Sequence, residues 1–188
     1  MSLGLFRKSL ALHQWIANKC GMQVFISCEG TTVAPISSWD DVFPTRFKDD
    51  PDYVLTRTLE LVGEQLKDQP GSAAEVGVYK GTFAHKINQV FPDRKLFLYD
   101  TWEGPDVKTC SSEERGKSCI GVKEDWSDET PERLMEIVRE GMVHPEMCVF
   151  RRGLFPETIL PEDENEKFVL VSLDVNLYQP TRAALEFF

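Results

Sequence analysis

Glu75 stands two residues ahead of a glycine in the stretch SAAEVGVYKGTFAHKI, Ser72 to Ile87, where an apolar run stops and a helical pattern begins. Turns of this kind usually hold phosphate on the N–H groups of the following helix, and a carboxylate repels phosphate. The acid therefore asks for a ligand with positive charge. S-adenosylmethionine suits the pattern: it has no phosphate, an acid attracts its sulfonium and its ammonium, and the helix-start N–H groups take its carboxylate. The spacing Gly77 to Gly81, with Tyr79 between, is GxxxG and not the dinucleotide fingerprint GxGxxG. Taken alone it also describes a tight strand-to-helix turn.

Two further acids close apolar runs. Asp100 ends KLFLYD, where an acid in an open α/β sheet accepts ribose hydroxyls; Asp's turn preference makes a cap in YDTWEG the plain alternative. Asp174 ends the run in FVLVSLDVNLYQPT, with Asn176 two residues on. A carboxylate, an amide and nearby hydroxyls are hard oxygen donors suited to magnesium. A strand-closing, helix-capping aspartate is the simpler reading of the same residue. Glu75 is read as an exposed charge at a strand end.

The elements that would carry these residues alternate. Asp50 as N-cap, Pro51 at the first helical position, and Leu55, Leu59, Val62 and Leu66 predict a helix ending near KDQPGS. Ala73 to Val78 predicts a strand. Phe83, Ile87, Val90 and Phe91 then predict a helix, and KLFLYD a second strand. After the polar segment from Thr101 to Glu129, Thr130 and Pro131 start a helix that buries Leu134, Ile137 and Val138 and stops near Gly141. Strands follow at Met147 to Arg151 and Phe168 to Asp174, and a helix opens at Pro180. Continuous apolar strands separated by helices predict an open, parallel α/β sheet of Rossmann-like type. Residues 1–50 read as a loop-rich extension with a candidate helix at Leu3 to Lys19, ahead of a domain at 51–188.

With 188 residues and 41% hydrophobic content the chain can bury a core. The 31 acids against 21 bases give a charge of -10, which opposes nucleic acid and anionic lipid as partners. No apolar run approaches the roughly 20 residues of a membrane helix, and the N-terminus is unlike a signal peptide. Five cysteines without a CxxC pair argue against zinc and a disulfide framework, so a reduced, cytoplasmic protein is expected, with no disulfide between Cys110 and Cys119. His85 is expected in solvent, His13 and His144 carry no base signature, and PEDENEK reads as a solvated turn. Trp102 and Trp126 fit a lid or a core anchor equally.

AEVGVYKGT, LYDTWEGP, FRRGLFPETI and VSLDVNLYQPTRAALE follow in an order and spacing that resembles the macrocin O-methyltransferase (TylF-like) family, over about Tyr53 to Phe188. The resemblance implies a class I S-adenosylmethionine-dependent methyltransferase, magnesium-dependent, acting on a hydroxyl of a sugar or related small molecule. It implies that Glu75, Gly77, Tyr79 and Gly81 line the methionine end of the cofactor, that Asp100 holds its ribose, and that Gly153 and Phe155 lie beside it. Asp174 matches the family's first magnesium ligand. Asn176 stands where the family has a second acid, proposed as general base, and a neutral amide takes no proton at pH 7. That departure leaves open a non-catalytic cofactor-binding module, or another nucleotide-dependent α/β enzyme. A class I sheet has seven strands and four are counted, so the sequence reads as truncated, with an open fourth-strand edge that favours self-association as a homo-oligomer.

Overall fold

The computed structural model describes residues 24–26, 51–104 and 129–188. The candidate helix at Leu3 to Lys19, His13, Trp126, Cys110 and Cys119 lie outside them. In chain order the elements are β1 (Val24–Ile26), α1 (Pro51–Leu66), β2 (Ser72–Val76), α2 (Thr82–Val90), β3 (Leu96–Asp100), α3 (Pro131–Glu140), β4 (Cys148–Arg152), β5 (Phe168–Leu173) and α4 (Tyr178–Phe187). They form one sheet in the order β1-β5-β2-β3-β4. β2 runs parallel to both β3 and β5, and β3 parallel to β4. This is the Rossmann-like α/β arrangement the sequence predicts.

The apolar runs explain it. All five residues of β2 are buried, as are the first four of β3 and the first five of β5. Strands covered on both faces need helices on both sides. One face packs Ala73, Leu96, Leu98 and Leu170 against Leu59, Phe83, Ile87, Leu134 and Val138 of α1, α2 and α3. The other packs Ala74, Val76, Phe97, Tyr99 and Val171 against Phe155 and Ala184. α3 begins as its sequence dictates, with the Thr130 hydroxyl accepting from the Arg133 N–H at 3.3 Å and Pro131 just inside the helix.

Three expectations need correction. The open edge anticipated beside β5 is paired antiparallel by β1, from Val24 opposite Leu173 to Ile26 opposite Val171, so part of the segment read as an extension joins the sheet. PEDENEK is not wholly solvated: Asp163 is 1% exposed. Its carboxylate accepts from Arg151 Nε at 2.8 Å and Nη2 at 2.6 Å, from the Tyr99 hydroxyl at 3.2 Å and from the Leu160 N–H at 3.2 Å. Burial alone would raise that carboxyl, but the hydrogen bonds from Arg151 and Leu160 outweigh it and hold Asp163 below the usual range. His85 is likewise no solvated residue. Its Nε2 donates to the Val138 carbonyl at 2.9 Å, and its ring packs over Gly81 and Gly141, wedging α2 against α3. Among the described residues, no helix is long and apolar enough to cross a membrane.

Candidate functional site

The order of strands reverses at β2, whose successor β3 lies on one side while β5 returns on the other. At such a switch point the two connections leave in opposite directions and open a crevice beyond the carboxyl ends of the strands. A cavity of about 350 Å³ occupies this place, within the size range of small-ligand sites. Eight of the nine residues singled out from sequence line it: Glu75, Gly77, Tyr79, Asp100, Gly153, Phe155, Asp174 and Asn176. Gly81 does not. It caps α2 from behind with a φ of 78°, its N–H donating to the Val78 carbonyl at 2.8 Å.

Gly77 is required by contact as well as by conformation. Its φ is 90°, and a Cβ there would run into the backbone carbonyl of Asp174. The Asp174 N–H in turn donates to the Val76 carbonyl at 2.8 Å. The exits of β2 and β5 are thus pressed together, and Asp174 and Asn176 lie exposed at the rim of the same cavity.

Asp100 fastens the glycine turn. One oxygen accepts from the N–H groups of Val78 at 2.6 Å and Tyr79 at 2.8 Å, and the other from the Trp102 N–H at 2.7 Å. The Trp102 indole N–H closes the loop by donating to the Tyr79 carbonyl at 3.1 Å. Tyr79 and Trp102 both adopt left-handed backbone, at φ 51° and 52°. Non-glycine residues keep that conformation only when their surroundings impose it. The capping alternative for Asp100 is therefore realised. An ionised carboxylate has about four lone-pair sites, so three N–H donors leave it capacity to accept from a ligand. Trp102, 1% exposed and 5.7 Å from the Phe150 ring, is a core anchor and not a lid.

Glu75 departs from its expected setting. It is not an exposed strand end: 1% of its surface reaches solvent, and its Oε2 has no hydrogen-bond partner. Burial pushes its carboxyl well above the usual range, the charges of Asp174 and Asp100 push further, and a hydrogen bond from the Ala84 backbone opposes them. Period-two alternation in β2 explains the geometry, since Glu75 shares the face of Ala73 beneath α2.

The far wall is built from the turn after β4. The Gly153 N–H donates to the Asp100 carbonyl at 2.9 Å, tying that turn to β3. The Phe155 ring meets Tyr99 edge-on with centroids 5.4 Å apart, and Tyr99 rests its hydroxyl on Asp163. Sequence reasoning missed Tyr99, Lys80 and Leu55, which also line the cavity. Tyr99 and Lys80 neighbour residues it did find; Leu55 belongs to a helical stripe indistinguishable from core.

Magnesium finds little here. No group of three His, Cys, Asp or Glu side chains among the described residues could hold a metal ion. Asp174 and Asn176 offer two oxygen-bearing side chains, one of them a carboxylate, so most of magnesium's six ligands would have to come from water or a bound substrate. The described residues do not by themselves fit the ion. The groups a cationic adenosyl ligand would use do fit: a buried carboxyl with one oxygen unpartnered, a glycine whose Cβ position is filled by neighbouring backbone, and a cavity of suitable size.

No protein-family model and no curated protein matches the sequence. Among solved structures the chain is similar to the calicheamicin methyltransferase CalS11, with a TM-score of 0.59 and 19% identity, covering 100% of this chain and 73% of that one. It is similar to the O-methyltransferase NovP, with a TM-score of 0.54 and 20% identity over 71% of this chain and 58% of that one. Apo CalS11, described as a TDP-rhamnose 3'-O-methyltransferase of calicheamicin biosynthesis, gives a TM-score of 0.50 at 18% identity, with 100% and 73% covered. At these identities the likeness is one of fold.

Proposed function

We propose that this chain is an S-adenosylmethionine-dependent O-methyltransferase acting on a hydroxyl of a sugar or related small molecule. The observation that carries the reading is the buried Glu75 carboxyl on the cavity lining, its Oε2 without a hydrogen-bond partner, with the carboxyls of Asp100 and Asp174 on the same lining. Such a site repels pyrophosphate and attracts a cation. A fold shared with proteins named as O-methyltransferases, one of them acting on a TDP-linked sugar, supports the reading from a second direction.

When bound, S-adenosylmethionine supplies an electrophilic methyl group. The chain's own residues then divide the remaining work. The open lone-pair capacity of Asp100 accepts from ribose hydroxyls, Glu75 faces the methionine cation, and the α2 N-terminus receives the carboxylate. Gly153 and Phe155 flank the cofactor and limit water. Asp174 and Asn176, exposed at the rim, orient the substrate hydroxyl toward the methyl. Asn176 cannot accept the hydroxyl proton, which leaves Asp174 as the nearest rim carboxylate to receive it. Magnesium dependence is an expectation of the family resemblance alone, and no step here depends on it.

Asn176 also favours a second reading, a module that binds the cofactor without transferring its methyl. Calorimetric titration with S-adenosylmethionine, NAD and ATP tests the ligand class: the first alone should bind. Methyl transfer to a panel of sugar diols, with and without magnesium, then separates an enzyme from a binding module. Binding of NAD or ATP with S-adenosylmethionine ignored would overturn both readings.

A further inference from the structure

Gly77, Val78, Tyr79 and Lys80 all line the cavity, so the backbone of this turn is a wall whose shape a ligand must meet. The end of β3 secures its first half. The Gly77 N–H donates to the Tyr99 carbonyl at 2.9 Å, and the N–H groups of Val78 and Tyr79 share one oxygen of Asp100. Asp100 thereby fixes the entry to Tyr79. The rotation that comes next, which aims the Tyr79 carbonyl, is held by the Trp102 indole N–H at 3.1 Å. Tyr79 needs that hold, because a φ of 51° is one that a non-glycine residue leaves unless its surroundings forbid it. Trp102 is placed to supply it. Its own N–H is tied to the second oxygen of Asp100 at 2.7 Å, and Phe150 of β4 lies tilted against the indole with centroids 5.7 Å apart. The Arg139 guanidinium of α3 stands 4.7 Å from the centre of the Phe150 ring in turn. A phenylalanine would fill most of the same space but has no N–H to give.

We propose that Trp102 is a positioning residue, whose indole N–H holds the Tyr79 carbonyl so that the turn stands in its ligand-binding conformation before any ligand arrives. That the ligand is S-adenosylmethionine rests on the reading above; the hold on the turn does not. Tyr79 and Trp102 are both in left-handed backbone, and each is kept there by a bond that the other or Asp100 supplies. The two strained residues brace one another. With the indole N–H removed, Asp100 alone opposes the strain at Tyr79, and the turn relaxes until a ligand rebuilds it. A site whose binding form is only partly populated loses apparent affinity in the same proportion. Trp102 spares the cavity that loss.

The experiment pairs amide hydrogen exchange with calorimetry on the 188-residue chain and its Trp102→Phe variant. In the unaltered chain the Val78 and Tyr79 amides should be nearly as protected without ligand as with saturating S-adenosylmethionine. In Trp102→Phe they should lose most of that protection without ligand and regain it with ligand, while the amides of β2 and β3 keep theirs. S-adenosylmethionine should bind the variant about tenfold more weakly, the loss expected when about a tenth of the molecules hold the turn ready. Val169→Ala, a cut into the core near the start of β5, serves as control: it should lower the unfolding midpoint and keep the affinity. Unchanged affinity in Trp102→Phe, protection lost evenly across the sheet, or an equal loss of affinity in Val169→Ala would overturn the inference. So would a turn in the unaltered chain that gains protection only on binding, a result that stands even should the variant fold poorly. Failure of S-adenosylmethionine to bind the unaltered chain would overturn the reading beneath, and exchange in the ligand-free proteins would still decide the part of Trp102.

Discussion

Two carboxylates are equally hidden in this molecule and could hardly be treated more differently. Asp163, under the face of the sheet that carries Phe97 and Tyr99, gathers Arg151, the Tyr99 hydroxyl and the Leu160 N–H. Glu75, under the opposite face, has a hydrogen bond from Ala84, one oxygen without a partner and two acids for neighbours. A buried charge that is fully paired holds chain segments together; one left short of partners waits for a ligand. Depth alone says nothing about role, and the inventory of partners does.

The contrast should appear first in stability. Asp163→Ala strands the Arg151 guanidinium and should cost about 3–5 kcal/mol in denaturant unfolding, while Glu75→Gln should cost almost nothing. A similar loss in both variants would erase the distinction. Gly77→Ala should cost about 2 kcal/mol for a strained left-handed residue, and should abolish cofactor binding, read by calorimetry, because the Cβ pushes the β2 and β5 exits apart. Tyr99→Phe removes one hydroxyl from Asp163 and should cost about 1 kcal/mol with the edge-on contact to Phe155 kept.

The pH dependence sharpens the comparison further, because the two acids shift in opposite directions. Asp163 is held below the usual range, so its stabilisation is present above the unfolded carboxylate value and is lost as pH falls through its own lower value. Glu75 is raised, so its contribution is present at low pH and is lost as pH rises from the unfolded value through its folded one. Glu75→Gln should therefore gain on the unaltered chain as pH rises toward neutrality, and Asp163→Asn should fall furthest behind it there. Unfolding curves across the acid range check both signs.

Much of this was readable from residue order. The alternation of apolar runs with helical stripes gave the sheet and its direction. Pro51, Thr130 and Pro131 marked helix starts to the residue, and the acids closing each run located the cavity. What escaped has a common cause. Val24 to Ile26 is too short to announce a strand, and only the β5 edge beside it makes it one. Asp163 sits in a run of acids that looks solvated until Arg151, twelve residues earlier, folds back on it. Glu75 shows in sequence as an acid at a strand end, but whether that end is wet depends on α2 lying over it. Pairing between distant segments decides each case, and no local pattern records it.

Gly141 ends α3 on the surface, with ordinary helical backbone and room for any side chain by its own conformation. Yet the imidazole of His85 fills the space where its Cβ would be, and the Nε2 of the same ring stands against the Cβ position of Gly81. The ring behaves as a shim of fixed thickness between the two helices. A methyl group added at this solvent-facing position would drive the shim toward the start of α2 and disturb the ligand turn from behind. A survey that ranks positions by exposure would pass over Gly141, although the cavity depends on its staying bare.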